Sequence, residues 1–375
     1  MSVEHPIPET ETDKIARPLL EYLRSQTSSP YLEFLDPPER ITGGFDAAIY
    51  GFRLTGERDD LAGPLVLRLY QPTRSAHVVL REAAVQTALV ALGYPAPGVK
   101  FRETELGALG GPFMIMERLS GHPLAAEFEL LRRQRPSVLS ILLTVRRVVA
   151  ETGAMWDAAQ TRLQALDADR FLACLRNEGL RPDDFRFDIS LASLRSIIAA
   201  AGVEGFGPAL AWLETQGPDD ATPSVVCHGD LQPLNVMGEN GKLTGVLDWG
   251  GAVVGHPALD YGAALAILAT APIAAPWLVR PFIRMAMNHL ARSHARDYFR
   301  RHPDGRKALS YFAAYNCLSQ LAWVAGSWRS ANGLAGTGAF DSAAGVRNLT
   351  AQFRRYTGVR LDVSLPACGV ASSAT

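Results

Sequence analysis

Residues 224–250 read SVVCHGDLQPLNVMGENGKLTGVLDWG, and this stretch decides the fold. Two short apolar runs, SVVC and LTGVL, bracket a polar loop, and the Asn240-Gly241 pair between them marks a hairpin turn. The loop carries His228, Asp230 and Asn235 in HGDLQPLNV. Asp248 follows 13 residues after Asn235 in VLDWG, and His256 and Asp260 close the run in GHPALD. The surroundings are helical, with periodic apolar stretches through Val138 to Leu166, Leu191 to Ala201 and most of Leu278 to Arg355. A strand-rich island inside a helical domain is a place where polar side chains are held rigidly.

Upstream, residues 38 to 118 change character. ERITGGF, AAIYGFRL and GPLVLRLYQP are glycine-separated runs of apolar and β-branched residues that predict a meander of three strands. A helix over Ala76 to Leu92 follows, stopped by Gly93 and Pro95, and two further strands are predicted near Val99 to Glu103 and Phe113 to Glu117. Residues 1 to 11 read as disordered, and Thr12 to Ser25 as a helix with Ile15, Leu19, Leu20 and Leu23 at helical spacing. The expected class is therefore α+β, divided into an N-terminal tail and helix (1–37), a lobe of five antiparallel strands with one main helix (38–118) and a mostly helical lobe (119–375). There is no internal repeat, and the low-complexity sequence is confined to an Ala/Ser/Gly-rich tail after Pro366.

The 375 residues, 47% hydrophobic and 20% charged, fit an ordinary soluble protein of two lobes. A net charge of −1 gives no case for a nucleic-acid or anionic-membrane partner. Cys174, Cys227, Cys317 and Cys368 are too scattered for a disulfide framework or a zinc knuckle, and they fit a reducing cytoplasm. The acidic start MSVEHPIPETETDK lacks the pattern of a secretory signal. The uncharged run from Tyr261 to Val279 contains Pro272 and Pro276 and is mostly alanine, which predicts a buried helix pair and not a membrane span.

Phosphoryl transfer to a hydroxyl needs one carboxylate to orient and deprotonate the acceptor, and oxygen ligands that hold magnesium against the phosphates. Asp230, Asn235 and Asp248 supply that set. The pattern HxDxxxxN, then DW, then GxPxxD resembles the aminoglycoside phosphotransferase and choline kinase-like family, over about residues 38 to 330. The resemblance implies a two-lobed protein-kinase-like fold and an ATP- and Mg2+-dependent kinase acting on a small-molecule hydroxyl. It implies Asp230 as catalytic base, Asn235 and Asp248 as magnesium ligands, and His228 with Asp260 as the pair that braces the catalytic loop. His256 stands where the family usually has an acidic residue.

In the small lobe, Thr42-Gly43-Gly44-Phe45 is a turn whose backbone N–H groups at Gly43 and Gly44 are candidates to cover phosphates. The cation expected on the third strand is Arg68 in LVLRLYQ, paired with Glu82 of the following helix. None of the four lysines lies in that strand, and an arginine keeps the charge and forks onto phosphate oxygens. Val66, Arg68 and Tyr70 share one strand face. By resemblance, the Glu117 carbonyl and the Leu119 N–H in FMIMERLSG would meet adenine, with Met116 bordering the pocket.

The acceptor is less legible. Residues 261 to 375 hold 13 Lys+Arg against four Asp and no Glu, a formal +9, against −10 for residues 1 to 260. Such a lobe suits a neutral, apolar or anionic acceptor better than a polycationic aminoglycoside. Arg292, Arg296 and Arg300 form one helical stripe, which is either a solvated face or an anion-recognition face. Trp277, Trp323, Trp328, Tyr311 and Tyr315 are either core or the lining of an apolar pocket. Two further readings stay open: a catalytically weak nucleotide-binding regulator of the same fold, and a metal-dependent hydrolase that clusters His228, Asp230, Asp248, His256 and Asp260. A protein kinase is disfavoured because Asp248 to Asp260 is too short for an activation loop.

Overall fold

The computed structural model describes residues 11–41, 47–55, 59–73, 75–124, 138–218, 222–271, 273, 280–329 and 342–363. The chain divides into two compact units, Met1–Ser120 and Gly121–Thr375.

The first unit runs α1 (Glu11–Thr27), β1 (Glu33–Ile41), β2 (Ala47–Thr55), β3 (Pro64–Tyr70), α2 (Ala76–Ala91), β4 (Val99–Glu103) and β5 (Phe113–Glu117). All strand pairs are antiparallel, in the order β1-β2-β3-β5-β4. Alternation along β3 sorts its side chains between two cores. Leu65 and Leu67 join Tyr50, Phe52, Phe113 and Ile115 beneath Leu19 and Leu23 of α1. Val66 and Tyr70 pack on the other face with Val79 of α2, Met114 and Met116. The N-terminal helix, expected as part of a separate tail, thus packs into the core on one face of the small unit's sheet. β1 begins earlier than expected and carries Pro37 and Pro38, tolerated because it is an edge strand with two register shifts. The Thr42 to Phe45 turn, with Gly43 and Gly44, lies outside the described residues.

The second unit contains helices α3 (Val138–Gln164), α4 (Ala168–Asn177), α5 (Phe187–Ala201), α6 (Gly207–Thr215), α7 (Ala258–Thr270), α8 (Arg280–Arg301), α9 (Arg306–Arg329) and α10 (Ala343–Thr357). Its strands are β6 (His122–Pro123), β7 (Val225–Cys227), β8 (Val236–Glu239), β9 (Lys242–Val246) and β10 (Val253–Gly255), paired as β6-β8-β9 and β10-β7. Asn240 and Gly241 both have positive φ, 51° and 73°, the backbone of the tight turn that their sequence predicts. The core centres on Tyr261 of α7, Phe312, Leu318 and Leu321 of α9, and Leu349 and Phe353 of α10. α7 accounts for the first half of the uncharged run and is buried along nearly its whole length; Pro272 and residues 274–279 lie outside the described residues. Among the described residues no helix is long and apolar enough to cross a membrane.

Candidate active site

The loop from His228 to Asn235 leaves β7 and enters β8, while Asp248 follows β9 and Asp260 sits in the first turn of α7. Three connections therefore converge, and each is fastened by backbone groups. His228 is fully buried; its Nε2 lies 2.9 Å from the Leu247 carbonyl, and its Nδ1 accepts the Asp230 N–H at 3.2 Å. These partners put the proton on Nε2. Burial pushes the imidazole pKa down, which keeps it neutral. Its ring packs 4.4 Å from that of Trp249, whose indole N–H donates to Val246 at 2.8 Å. His228 thus ties the loop to the strand end that delivers Asp248.

Asp260, also fully buried, accepts the backbone N–H groups of His228 at 2.9 Å and Gly229 at 2.8 Å, one on each carboxylate oxygen. The carboxylate therefore grips the backbone of the loop and not the imidazole. Gly229 has φ +84°, and a Cβ there would stand 2.4 Å from the Gly251 carbonyl oxygen, so the loop entrance accepts only glycine.

Asp230 is half-buried. Gln232 donates to its Oδ2 at 2.9 Å, and Asn235 Nδ2 reaches both that oxygen, at 3.2 Å, and the Asp230 carbonyl, at 2.9 Å. Desolvation pushes its carboxyl pKa up to about 7, with Gln232 and Asn235 pulling it down and the Asp248 charge raising it. Asn235 is held at both ends of its backbone: its N–H donates to Gln232 at 2.9 Å, and its carbonyl accepts Leu247 at 2.8 Å. The side-chain nitrogen being committed to Asp230, Oδ1 is the end of the amide left for a cation. Asp248 is exposed and left-handed, φ 66°, at the start of a 3-10 turn. That conformation is uncommon for residues other than glycine, and aspartate is among those that tolerate it. His256 does something else. Its Nδ1 accepts the Ala258 N–H at 2.9 Å, capping α7, and its ring stacks on Phe312.

In the first unit, Arg68 forms an ion pair with the Glu82 carboxylate, which is 2% exposed. Tyr70 donates its hydroxyl to the other Glu82 oxygen at 2.8 Å, and the Arg68 guanidinium lies 5.2 Å from the Tyr70 ring centroid. Met116 is buried beside them, whereas Glu117 is exposed and Leu119 half-buried. The Glu117 N–H is taken by the Gly98 carbonyl at 2.9 Å, so its own carbonyl is the group to consider toward a base.

The sequence model of the phosphotransferase enzyme family matches residues 39–309. The chain belongs to that family. The chain resembles in fold a solved protein of Ralstonia eutropha provisionally assigned as an aminoglycoside phosphotransferase, with TM-score 0.58, 16% identity, and 91% of this chain and 98% of the other covered. It also resembles a thermostable mutant of aminoglycoside phosphotransferase APH(4)-Ia in ternary complex with ADP and hygromycin B, with TM-score 0.51, 15% identity, and 90% and 98% covered. Both have the protein-kinase-like α+β fold. Among curated proteins, acyl-CoA dehydrogenase family member 11 of Gallus gallus is 26% identical over 189 residues, 50% of this chain. The chain matches 22% of that relative's length.

Two further groups of the helical lobe bear on the acceptor. Asp297 is buried, accepts the Tyr261 hydroxyl at 2.8 Å and Arg300 at 2.8 Å, and pairs with Arg301. Tyr311 is core, its hydroxyl donating to the Leu213 carbonyl at 3.0 Å, and Tyr315 packs against the same core, while Trp323 is half exposed. Trp277 and the side chain of Trp328 lie outside the described residues. Sequence reasoning placed Tyr70 on the Arg68 strand face without giving it a partner, and it missed Gln232. Both sit two residues from a singled-out residue, on the Arg68 strand face and in the Asp230 loop, and that proximity was the one signal to follow.

Proposed function

We propose that the chain is an ATP- and magnesium-dependent kinase of small-molecule hydroxyl groups. The observation that carries the reading is the presentation of Asp230: a half-buried carboxylate steadied by two side-chain amides, near enough to Asp248 to feel its charge. Asp230 orients the acceptor hydroxyl and takes its proton as the phosphoryl group arrives. His228 and Asp260 fix the backbone that carries it.

The donor set fits a hard divalent cation shared with phosphate. One amide oxygen, Asn235 Oδ1, and one carboxylate, Asp248, suit magnesium, which completes its shell with phosphate and water. Among the described residues no three His, Cys, Asp or Glu side chains form a protein-only cage. Magnesium held by Asn235 and Asp248 supplies charge neutralisation at the transferring phosphates. Arg68, fixed by Glu82, is assigned to the α- and β-phosphates. The Glu117 carbonyl and the Leu119 N–H are assigned to adenine, Met116 to the pocket wall, and Gly43 and Gly44 to the phosphate-covering turn.

A metal-dependent hydrolase fits less well, because both His228 ring nitrogens, His256 Nδ1 and both Asp260 oxygens are engaged by backbone groups. A nucleotide-binding regulator leaves the arrangement around Asp230 without a purpose. The positive balance after residue 260 supports a neutral, apolar or anionic acceptor. The test is ADP release over a panel of hydroxylated metabolites, macrolides and aminoglycosides, with Asp230→Asn as control. The variant should lose about 100-fold or more in kcat while binding ATP nearly as wild type does; turnover within about tenfold removes Asp230 from the mechanism.

A further inference from the structure

Helix α3 carries a polar seam at Asp157, Gln160, Thr161 and Gln164, spaced by three and four residues on one face. Each member reaches another element. Asp157 Oδ1 lies 3.0 Å from His294 Nδ1, and Thr161 accepts Arg301 at 2.8 Å, both on α8. Gln164 donates to the Pro257 carbonyl at 2.8 Å, and Gln160 Nε2 lies 3.4 Å from Asp260 Oδ2, both at the start of α7. Two glutamines thus fasten the turn that delivers the Asp260 carboxylate to the loop.

Gln160 is fully buried, and its Oε1 has no hydrogen-bond partner among the described residues. The reason lies at the other end of the amide. Asp260, already accepting two backbone N–H groups, presents only acceptor oxygens, so the amide must turn its nitrogen there and strand its oxygen. A buried carbonyl without a donor destabilises the fold, and an apolar side chain of equal volume would avoid that cost. The position therefore serves Asp260 better than it serves packing.

We propose that Gln160 is a positioning residue for phosphoryl transfer: from α3 it orients the Asp260 carboxylate, which sets the His228 and Gly229 amides and, through them, Asp230. Gln160 touches neither substrate nor nucleotide in this scheme. The inference rests on the kinase reading for its effect on turnover, but the grip itself is readable without turnover.

The test is Gln160→Met, which keeps the volume and removes the donor. The expected result is a kcat lowered about tenfold with KM for ATP within about twofold, the size of one lost hydrogen bond to a charged group. The melting temperature should not fall, and amide exchange over residues 225–231 should quicken roughly tenfold. A kcat within about twofold of wild type, or unchanged exchange in that segment, overturns the proposal. A chain that phosphorylates no acceptor removes the kinase reading, and the exchange measurement still decides whether Gln160 holds the loop. If Gln160→Met does not fold, Gln160→Glu replaces it, since that side chain donates to Asp260 only while protonated. Exchange over 225–231 should then accelerate with rising pH more steeply than in wild type, and an equal slope overturns the proposal.

Discussion

Asp260→Asn is the substitution whose outcome follows most directly from the geometry. The carboxylate offers an oxygen to each of two N–H donors, His228 at 2.9 Å and Gly229 at 2.8 Å, with Gln160 sharing the first. An asparagine has one oxygen. Its best placement keeps that oxygen on the His228 and Gln160 side and turns an NH2 group against the Gly229 N–H. One charge-assisted bond is then lost, a buried donor faces another donor, and the penalty is about 3 kcal/mol. In a unit as large as Gly121–Thr375 each kcal/mol lowers the melting temperature by roughly 2–4 °C, so the expected fall is about 6–12 °C. Differential scanning calorimetry of wild type and variant reads this, with the exposed Asp304→Asn as a control that should not move. A fall smaller than about 2 °C would refute the reasoning, because it would place the carboxylate among substitutions without structural consequence.

Gly229→Ala should destabilise more than the roughly 1–2 kcal/mol of a left-handed alanine alone, since its Cβ would stand 2.4 Å from the Gly251 carbonyl; soluble yield and melting temperature report it. Asp248→Ala should abolish the magnesium dependence of ATP binding, measured by calorimetry with and without the metal, and unchanged affinity in both arms would make Asp248 structural. In competition at equal concentration, hydroxy-acid or macrolide-like acceptors should outpace kanamycin-like ones, given the +9 balance after residue 260. A clear aminoglycoside preference would show that whole-lobe charge is the wrong scale for this pocket.

The five strands of the small unit were legible because alternating apolar residues between glycines leave few other readings. Those of the polar loop were legible because Asn240-Gly241 fixes a turn. Where α1 goes was not legible: Leu19 and Leu23 announce an apolar stripe but not the sheet face that receives it. Gln160 was invisible for a related reason. A glutamine in a helix is ordinarily solvated, and only its burial and its distance to Asp260 across 100 residues of chain separate it from a surface amide. His256 looked like a departure from the family's acidic residue. The structure gives it a backbone partner that no pattern of residue types encodes, since a ring nitrogen and a carboxylate can both accept the Ala258 N–H. The stripe of Arg292, Arg296 and Arg300 was open between a solvated face and an anion-recognition face, and Arg300 is held by Asp297, a partner three residues away on its own helix.

The packing of α1 and α10 bears on how this chain can be cut. The family match opens at residue 39, beyond α1 and inside β1, and closes at residue 309, within the first turn of α9. A fragment trimmed to those limits would strip Leu19 and Leu23 from one side of the sheet and Leu349 and Phe353 from the helical core, all four fully buried in the whole chain. Two wet apolar faces would result, each an invitation to aggregate. The part of the sequence that identifies the family is shorter than the part that packs, so a fragment that keeps both cores must run at least from Glu11 through Thr357.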